Sequence, residues 1–212
     1  MIYRAPALAA PLALDGRFDK PAWRTAPVVA LVDNGGGPAR QITRAHLAHS
    51  AKYLYVGFFA EGAACTANLA GYNQPIYDDS VVELFLADGG DPHRYHEFEV
   101  NPLGAALHYY ILHSGRGAEG YAKVVPAVRA AVLTDRARGV WQAELAIEIG
   151  ALTQLAWGAP LPFNLYRIEG AGEGRSLSAL CPTRRATFHC PCLLYTSGRV
   201  RLLGIPPAGG WV

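Results

Sequence analysis

Methionine is all but missing from this chain: Met1 is the only one in 212 residues. A haem iron held by one histidine and one methionine would therefore lack a ligand, although the seven histidines leave a bis-histidine site open. Charge is sparse as well, with 17% Asp, Glu, Lys and Arg and a net charge of +2. The 19 basic residues are scattered. Arg184-Arg185 is the one tight pair after the first third, so the basic stripe of a nucleic-acid binder is absent. No run approaches the roughly 18 apolar residues of a membrane helix, and no membrane partner is expected. Pro6 and Pro11 interrupt the opening segment, which lacks the continuous apolar core of about 7–15 residues that a secretory signal needs. A trimmed signal would leave the same sequence, so the compartment stays open.

Four cysteines, Cys65, Cys181, Cys190 and Cys192, are too few for a disulfide scaffold at this length. Cys181, His189, Cys190 and Cys192 lie close together, but Cys-x8-Cys-x-Cys is not the spacing of a zinc finger. Free thiols are the expectation. Also missing are a Ser-His-Asp order, a phosphate loop and a dinucleotide glycine pattern; Gly115-x-Gly117 stands alone.

What remains is a succession of short apolar runs with turn signals about every ten residues. Gln41–His49 and Tyr53–Ala60 read as a hairpin around Ser50-Ala51-Lys52. Val140–Ile147 alternates, with Trp141, Ala143, Leu145 and Ile147 on one face. Further strands are expected at 12–14, Val28–Val32, Ala105–Leu112, Val124–Leu133, Leu161–Ile168, Ser176–Cys181 and Arg199–Leu203. Helix is confined to one turn after Asp19, the expected N-cap, with Trp23 pointing inward, and to a short piece within Ile149–Leu155. The pattern predicts an all-β fold, an antiparallel two-sheet β-sandwich of jelly-roll type with less than about a fifth helix. Residues 1–212 read as a single domain, long enough to bury roughly 70% of the unfolded surface.

The stretch Tyr77–Gly104 organises the chain. A strand through Val81-Val82-Glu83-Leu84-Phe85-Leu86 is followed by Gly89-Gly90 and by a second strand, Arg94–Val100, that stops at Asn101-Pro102-Leu103-Gly104. Glu83 sits inside an apolar strand, and Glu97 and Glu99 share one face of the next. Carboxylates are rarely buried unpaired. This face is therefore either wet or holds a ligand. Residues i and i+2 on a strand lie about 6.5–7 Å apart, near the separation of an inverting glycosidase pair, so Glu97 and Glu99 also admit an acid–base reading.

Asp79-Ser80-x-Val82-Glu83-x-Phe85 followed by Tyr95-x-Glu97-Phe98-x-Val100-Asn101-Pro102-x-Gly104 resembles the centre of the family 9 carbohydrate-binding modules and their bacterial relatives. Leu14-Asp15-Gly16-x-x-Asp19-x-x-x-Trp23 resembles the family's opening, and Leu54-Tyr55-Val56-x-Phe58 its second conserved strand. Phe163–Glu169, Pro182-Thr183, Phe188-His189-x-Pro191 and Gly198–Leu202 resemble its closing third. The resemblance implies a β-sandwich and non-catalytic saccharide binding between two aromatic rings, matched here by Tyr77 and Phe188. The family's best-known sugar binders carry tryptophan at both positions; this chain does not. Glu83 and Tyr166 match positions near the sugar, and Glu99 and Arg167 are further polar candidates. Arg167 has a second reading, as a buried partner of Glu97 or Glu99. The link between Pro191 and Gly198 departs from the family, whose members usually carry a short segment ending in Phe-Gly. The implied ligand is an oligo- or polysaccharide, with a separate glycoside hydrolase as a partner. No cofactor is expected, apart from structural calcium as some members bind; Asp15, Asp19, Asp78, Asp79, Asp88 and Asp91 are the loop acids that raise it. A glycoside-active enzyme and a haem-binding redox sandwich are the alternatives.

Overall fold

The structure, a computed structural model, describes residues 2–62, 66–87, 91, 93–114, 117–152, 155, 157–170, 172–190 and 201–205. Cys65, Asp88, Cys192 and the link before Gly198 lie outside the described residues. Two sheets face each other. The smaller runs in the order β10 (Val128–Asp135), β11 (Val140–Glu148), β5 (Tyr53–Glu61), β4 (Thr43–His49) and β2 (Val29–Ala30). The larger runs β1 (Ile2–Arg4), β14 (Arg201–Leu203), β12 (Leu161–Glu169), β6 (Val81–Ala87), β7 (Arg94–Val100), β8 (Ala106–Ser114) and β9 (Gly117–Ala122). Beside β12 it also carries β13 (Ser176–Ala179) and β3 (Val32–Asp33). The β-sandwich stands, with 8% of the described residues helical. Two features depart from the antiparallel expectation: β1 and β14 pair in parallel, and an isolated bridge between Ala7 and His49 is parallel too.

The main core lies between the sheets. From the smaller sheet come Leu47, Leu54, Val56, Phe58, Trp141, Ala143, Leu145 and Ile147; from the larger come Val82, Leu84, Leu86, Phe98, Phe163 and Leu165. The alternation in Val140–Ile147 thus points the expected side chains inward. Many strands nevertheless read as continuous apolar runs, because each sheet is also covered on its outer face. Trp23, Ala26, Tyr55 and Ala146 pack outside the smaller sheet, with Leu8, Leu12, Leu14 and Phe18 over them. Ile76, Phe85, Tyr95, Leu107, Tyr166 and Phe188 pack outside the larger. Burial on both faces removes the period-two signal.

A single carboxylate fastens the opening segment down. Glu144 on β11 is fully buried. It accepts hydrogen bonds from the backbone of Asp15 and Gly16, from Lys20 Nζ at 2.5 Å and from Trp23 Nε1 at 2.7 Å. Gly16 turns here with φ +78°, and a Cβ on it would lie 2.5 Å from the Leu133 backbone. The helical turn α1 (Pro21–Thr25) follows, with Trp23 inward as expected.

Several local readings need correction. Lys20, not Asp19, is the N-cap of α1, and its side chain makes no cap bond. Residues 12–14 form no strand. Val28–Val32 is not one buried strand: Val28 is exposed, and the chain crosses from β2 in one sheet to β3 in the other. Among the described residues of the piece expected to be helical, a 3₁₀ turn, Ile149–Ala151, stands at its start. β9 went unread because its two glycines lower strand propensity; pairing along β8 supplies what the local sequence does not. Cys181 and Cys190 are partly buried, and Cys181 packs against the main core.

Breaking a buried ion pair by removing one partner costs about 3–5 kcal/mol. Glu144→Ala should lose that much in urea unfolding, through the freed Lys20 and the opening segment. A loss below about 1 kcal/mol, typical of an exposed pair, would contradict this role.

Candidate functional site

A cleft of about 580 Å³ lies on the outer face of the larger sheet. Its floor is set by register. Glu83 on β6 stands opposite Glu99 on β7, and Glu97 opposite Tyr109 on β8, so all four side chains leave the sheet on one side. Gly120 on β9 leaves space at the edge: a Cβ there would meet the Tyr109 ring at 2.7 Å. Arg175, before β13, and Phe188 and His189, after it, close the opposite side.

The floor is electrostatically uncomfortable. Glu83 and Glu99 are each 1% exposed and Glu97 5%. One oxygen from each carboxylate falls within 4.8 Å of the others. Glu83 Oε1 and Glu99 Oε2 have no hydrogen-bond partner among the described residues. Burial, and then mutual repulsion, push the Glu83 and Glu99 carboxyls well above the ordinary range, and burial raises Glu97 to about 7. One oxygen of Glu97 lies within 4.8 Å of one of Glu99, and Glu99 opposes the upward shift of Glu97 while Glu97 adds to that of Glu99. The Arg175 guanidinium opposes the shift of Glu83 by its charge. His189 Nε2 stands 3.9 Å from Glu97 Oε1, but burial holds this imidazole down at about 4, so it is neutral at pH 7. Its Nδ1 is bonded to the Tyr95 hydroxyl at 2.7 Å.

The walls are aromatic. Tyr77, 40% exposed, rides on the 3₁₀ turn Ile76–Asp78. Asp79 fixes the loop behind it, accepting from the backbone of Asn68 and Leu69 and from Asn101 Nδ2 at 3.0 Å. Asn101 also caps its own turn, accepting from Leu103 and Ala105. Ser80 Oγ accepts from Gly170. The Asp-Ser and Asn-Pro-x-Gly residues that carry the family resemblance thus hold the loop that presents Tyr77. Phe188 lines the other wall, mostly buried, and stacks on Tyr166 at 4.2 Å, which in turn meets Phe85 edge-on at 4.7 Å.

Of the expected binding residues, the fold gathers Tyr77, Glu83, Glu99 and Phe188 in one cleft. Tyr166 lies beneath Phe188 and does not line it. Arg167 is on the opposite face of β12, facing the smaller sheet. It donates to Thr43 Oγ1 and to the carbonyls of Ile42 and Glu61, and pairs with Glu169 rather than with Glu97 or Glu99. Tyr109 and Arg175 also line it, without a local motif that marks them, and so does His189, which the sequence places in the Phe188-His189-x-Pro191 motif and not as a binding residue. Among the described residues, the loop acids raised for calcium are not gathered: Asp79 is satisfied as above, Asp15 pairs with Lys20 and Asp91 with Arg94. Two further histidines, His96 and His108, are buried elsewhere and hydrogen-bonded to each other at 3.0 Å.

The raised Glu97 value has a direct consequence in metal-free buffer. The folded protein resists ionising this group, while the unfolded chain ionises from the ordinary value of 4.5 upward. Stability from Glu97 is therefore full below 4.5 and falls as pH rises to about 7. Relative to wild type, Glu97→Gln should gain thermal midpoint steadily across that window and hold the gain above it. Parallel midpoint curves for the two proteins would contradict the assignment.

No family model and no curated protein matches this chain. Solved structures do. A candidate carbohydrate-binding protein from Bacteroides uniformis aligns over 95% of this chain and 98% of its own, at 18% identity and a TM-score of 0.73. A family 9 carbohydrate-binding module from Caldicellulosiruptor kristjanssonii, in complex with cellotriose, aligns over 100% and 98%, at 15% identity and a TM-score of 0.60. The module from that organism in complex with glucose aligns over 96% of both chains, at 14% identity and a TM-score of 0.60. At these identities the likeness concerns architecture: the chain has the fold of the family 9 carbohydrate-binding modules.

Proposed function

We propose that this chain is one saccharide-binding module whose ligand lies in the cleft between Tyr77 and Phe188. The observation that carries the reading is the pairing of an exposed ring with buried, underbonded carboxyls in one concave site. Sugars need both devices: a flat apolar surface for their C–H faces and planar polar groups for their hydroxyls. Tyr77 supplies the first, and Glu83, Glu97, Glu99 and Arg175 supply the second. The fold relatives solved with cellotriose and glucose support a saccharide as the ligand.

The module is non-catalytic in this reading. An inverting pair keeps its carboxyls about 6.5–9.5 Å apart to admit a water, and a retaining pair about 5–5.5 Å. One oxygen of Glu97 lies within 4.8 Å of one of Glu99, which argues against the wider spacing of an inverting pair. The module's service would be to hold a polysaccharide for breakdown by a separate glycoside hydrolase.

Calorimetric titration with short gluco-, xylo- and manno-oligosaccharides tests the reading. Tyr77→Ala should weaken binding about tenfold, the equivalent of 1.4 kcal/mol, with little change in fold stability. Phe188→Ala should weaken binding and also destabilise by roughly 3–5 kcal/mol, because its ring is packed on Tyr166. Equal affinity in wild type and Tyr77→Ala, or no binding of any of these sugars, would contradict it.

A further inference from the structure

We propose that Glu83, Glu97 and Glu99 form a binding site for one hard divalent cation, of which Ca²⁺ is the best fit. The geometry is the first ground. Oxygens that share one calcium ion at about 2.4 Å can lie no more than about 4.8 Å apart, and one oxygen from each of the three carboxylates meets that limit. The second ground is what these oxygens lack. Glu83 Oε1 and Glu99 Oε2, on side chains about 99% buried, have no hydrogen-bond partner among the described residues and border the cleft. Among the other buried acids, Glu144 accepts five hydrogen bonds and Asp79 four, and Glu169, which also leaves one oxygen without a partner, is neutralised through the other by Arg167.

Charge and donor type select the ion. Three carboxylates and one dication sum to one negative charge, and Arg175, the cation that acts on Glu83, offsets it. Every donor is an oxygen, which suits calcium rather than zinc. His189 stays outside the donor set, with its Nε2 3.9 Å from Glu97 Oε1 and its other nitrogen engaged by Tyr95. Calcium takes 6–8 oxygens without strict geometry, whereas magnesium needs a near-ideal octahedron at 2.0–2.1 Å. Two strands held in fixed register favour the tolerant ion. Three carboxylates need not fill the shell, and the positions left over face the cleft. If the saccharide reading holds, a pair of sugar hydroxyls can take them; that clause rests on the proposed function, and the cation site does not.

The test is calorimetric titration of the metal-free full chain with CaCl₂, together with thermal midpoints in chelator and in calcium. The expected result is one Ca²⁺ per chain, with a Kd on the order of 10⁻⁴ M, as in the weaker class of calcium sites. About 10 mM CaCl₂, a hundredfold over that Kd, should raise the midpoint measurably. Glu83→Gln and Glu99→Gln should each weaken calcium binding at least tenfold while keeping or raising the midpoint in chelator, which separates loss of the site from loss of the fold. Absence of both heat and midpoint shift up to about 10 mM CaCl₂ would overturn the proposal. So would undiminished calcium binding in both variants, or Zn²⁺ bound in preference to Ca²⁺. A second arm titrates oligosaccharide with and without calcium. Sugar binding by a chain that takes no calcium would overturn the cation site and leave the module reading intact. Calcium binding without any sugar binding would do the reverse.

Discussion

Three carboxylates withdrawn from water on one face of a β-sheet set the terms for everything around them. Desolvation disfavours the charged form of each, and proximity compounds the penalty. Arg175 offsets part of it at Glu83 by its charge. The remainder is left as unbonded oxygen at Glu83 and Glu99. A fold that needed this face only for packing would gain by carrying valine or leucine at all three positions. The arrangement makes sense as a surface prepared for something that arrives: hydroxyls, a cation, or both.

The contrast with the other buried charges sharpens the point. Glu144 ties the N-terminal segment to the smaller sheet, and its carboxylate is bonded on every side. Arg167 crosses between the layers, reaching Thr43 and the carbonyls of Ile42 and Glu61 from β12. Asp79 holds the loop that carries Tyr77. Each of these is a structural fastening with its polar atoms engaged. Buried polar atoms without a partner among the described residues occur elsewhere too, at His49, His96, His108, Trp141 and Glu169; those of Glu83 and Glu99 belong to carboxyls that converge in a cleft, where they adjoin an exposed ring.

Much of this was legible in the sequence, and what was not has physical causes. Strand alternation placed Glu97 and Glu99 on one face, and the run around Glu83 marked the neighbouring strand. The hairpin at Ser50-Ala51-Lys52 and the inward set of Val140–Ile147 followed from local pattern. Tyr166 and Arg167 are a different case. Adjacent strand residues face opposite ways, so alternation alone forbids both from lining one cleft. Which of the two faced inward depended on the register of β12 against β6, and burial on both faces erased the polarity that would have revealed it. Tyr109 and Arg175 reach the cleft through pairings distant in sequence, with no local motif to announce them. β9 escaped notice because a glycine-bearing edge strand takes its conformation from its neighbour.

A crystal structure of the chain grown with a short oligosaccharide and calcium tests the central claim most directly. The account predicts a sugar ring against Tyr77 on the outer face of the larger sheet, with its hydroxyls directed at the Glu83, Glu97 and Glu99 group. Sugar density on the smaller sheet or along the sandwich edge, with the cleft holding only water, would contradict it.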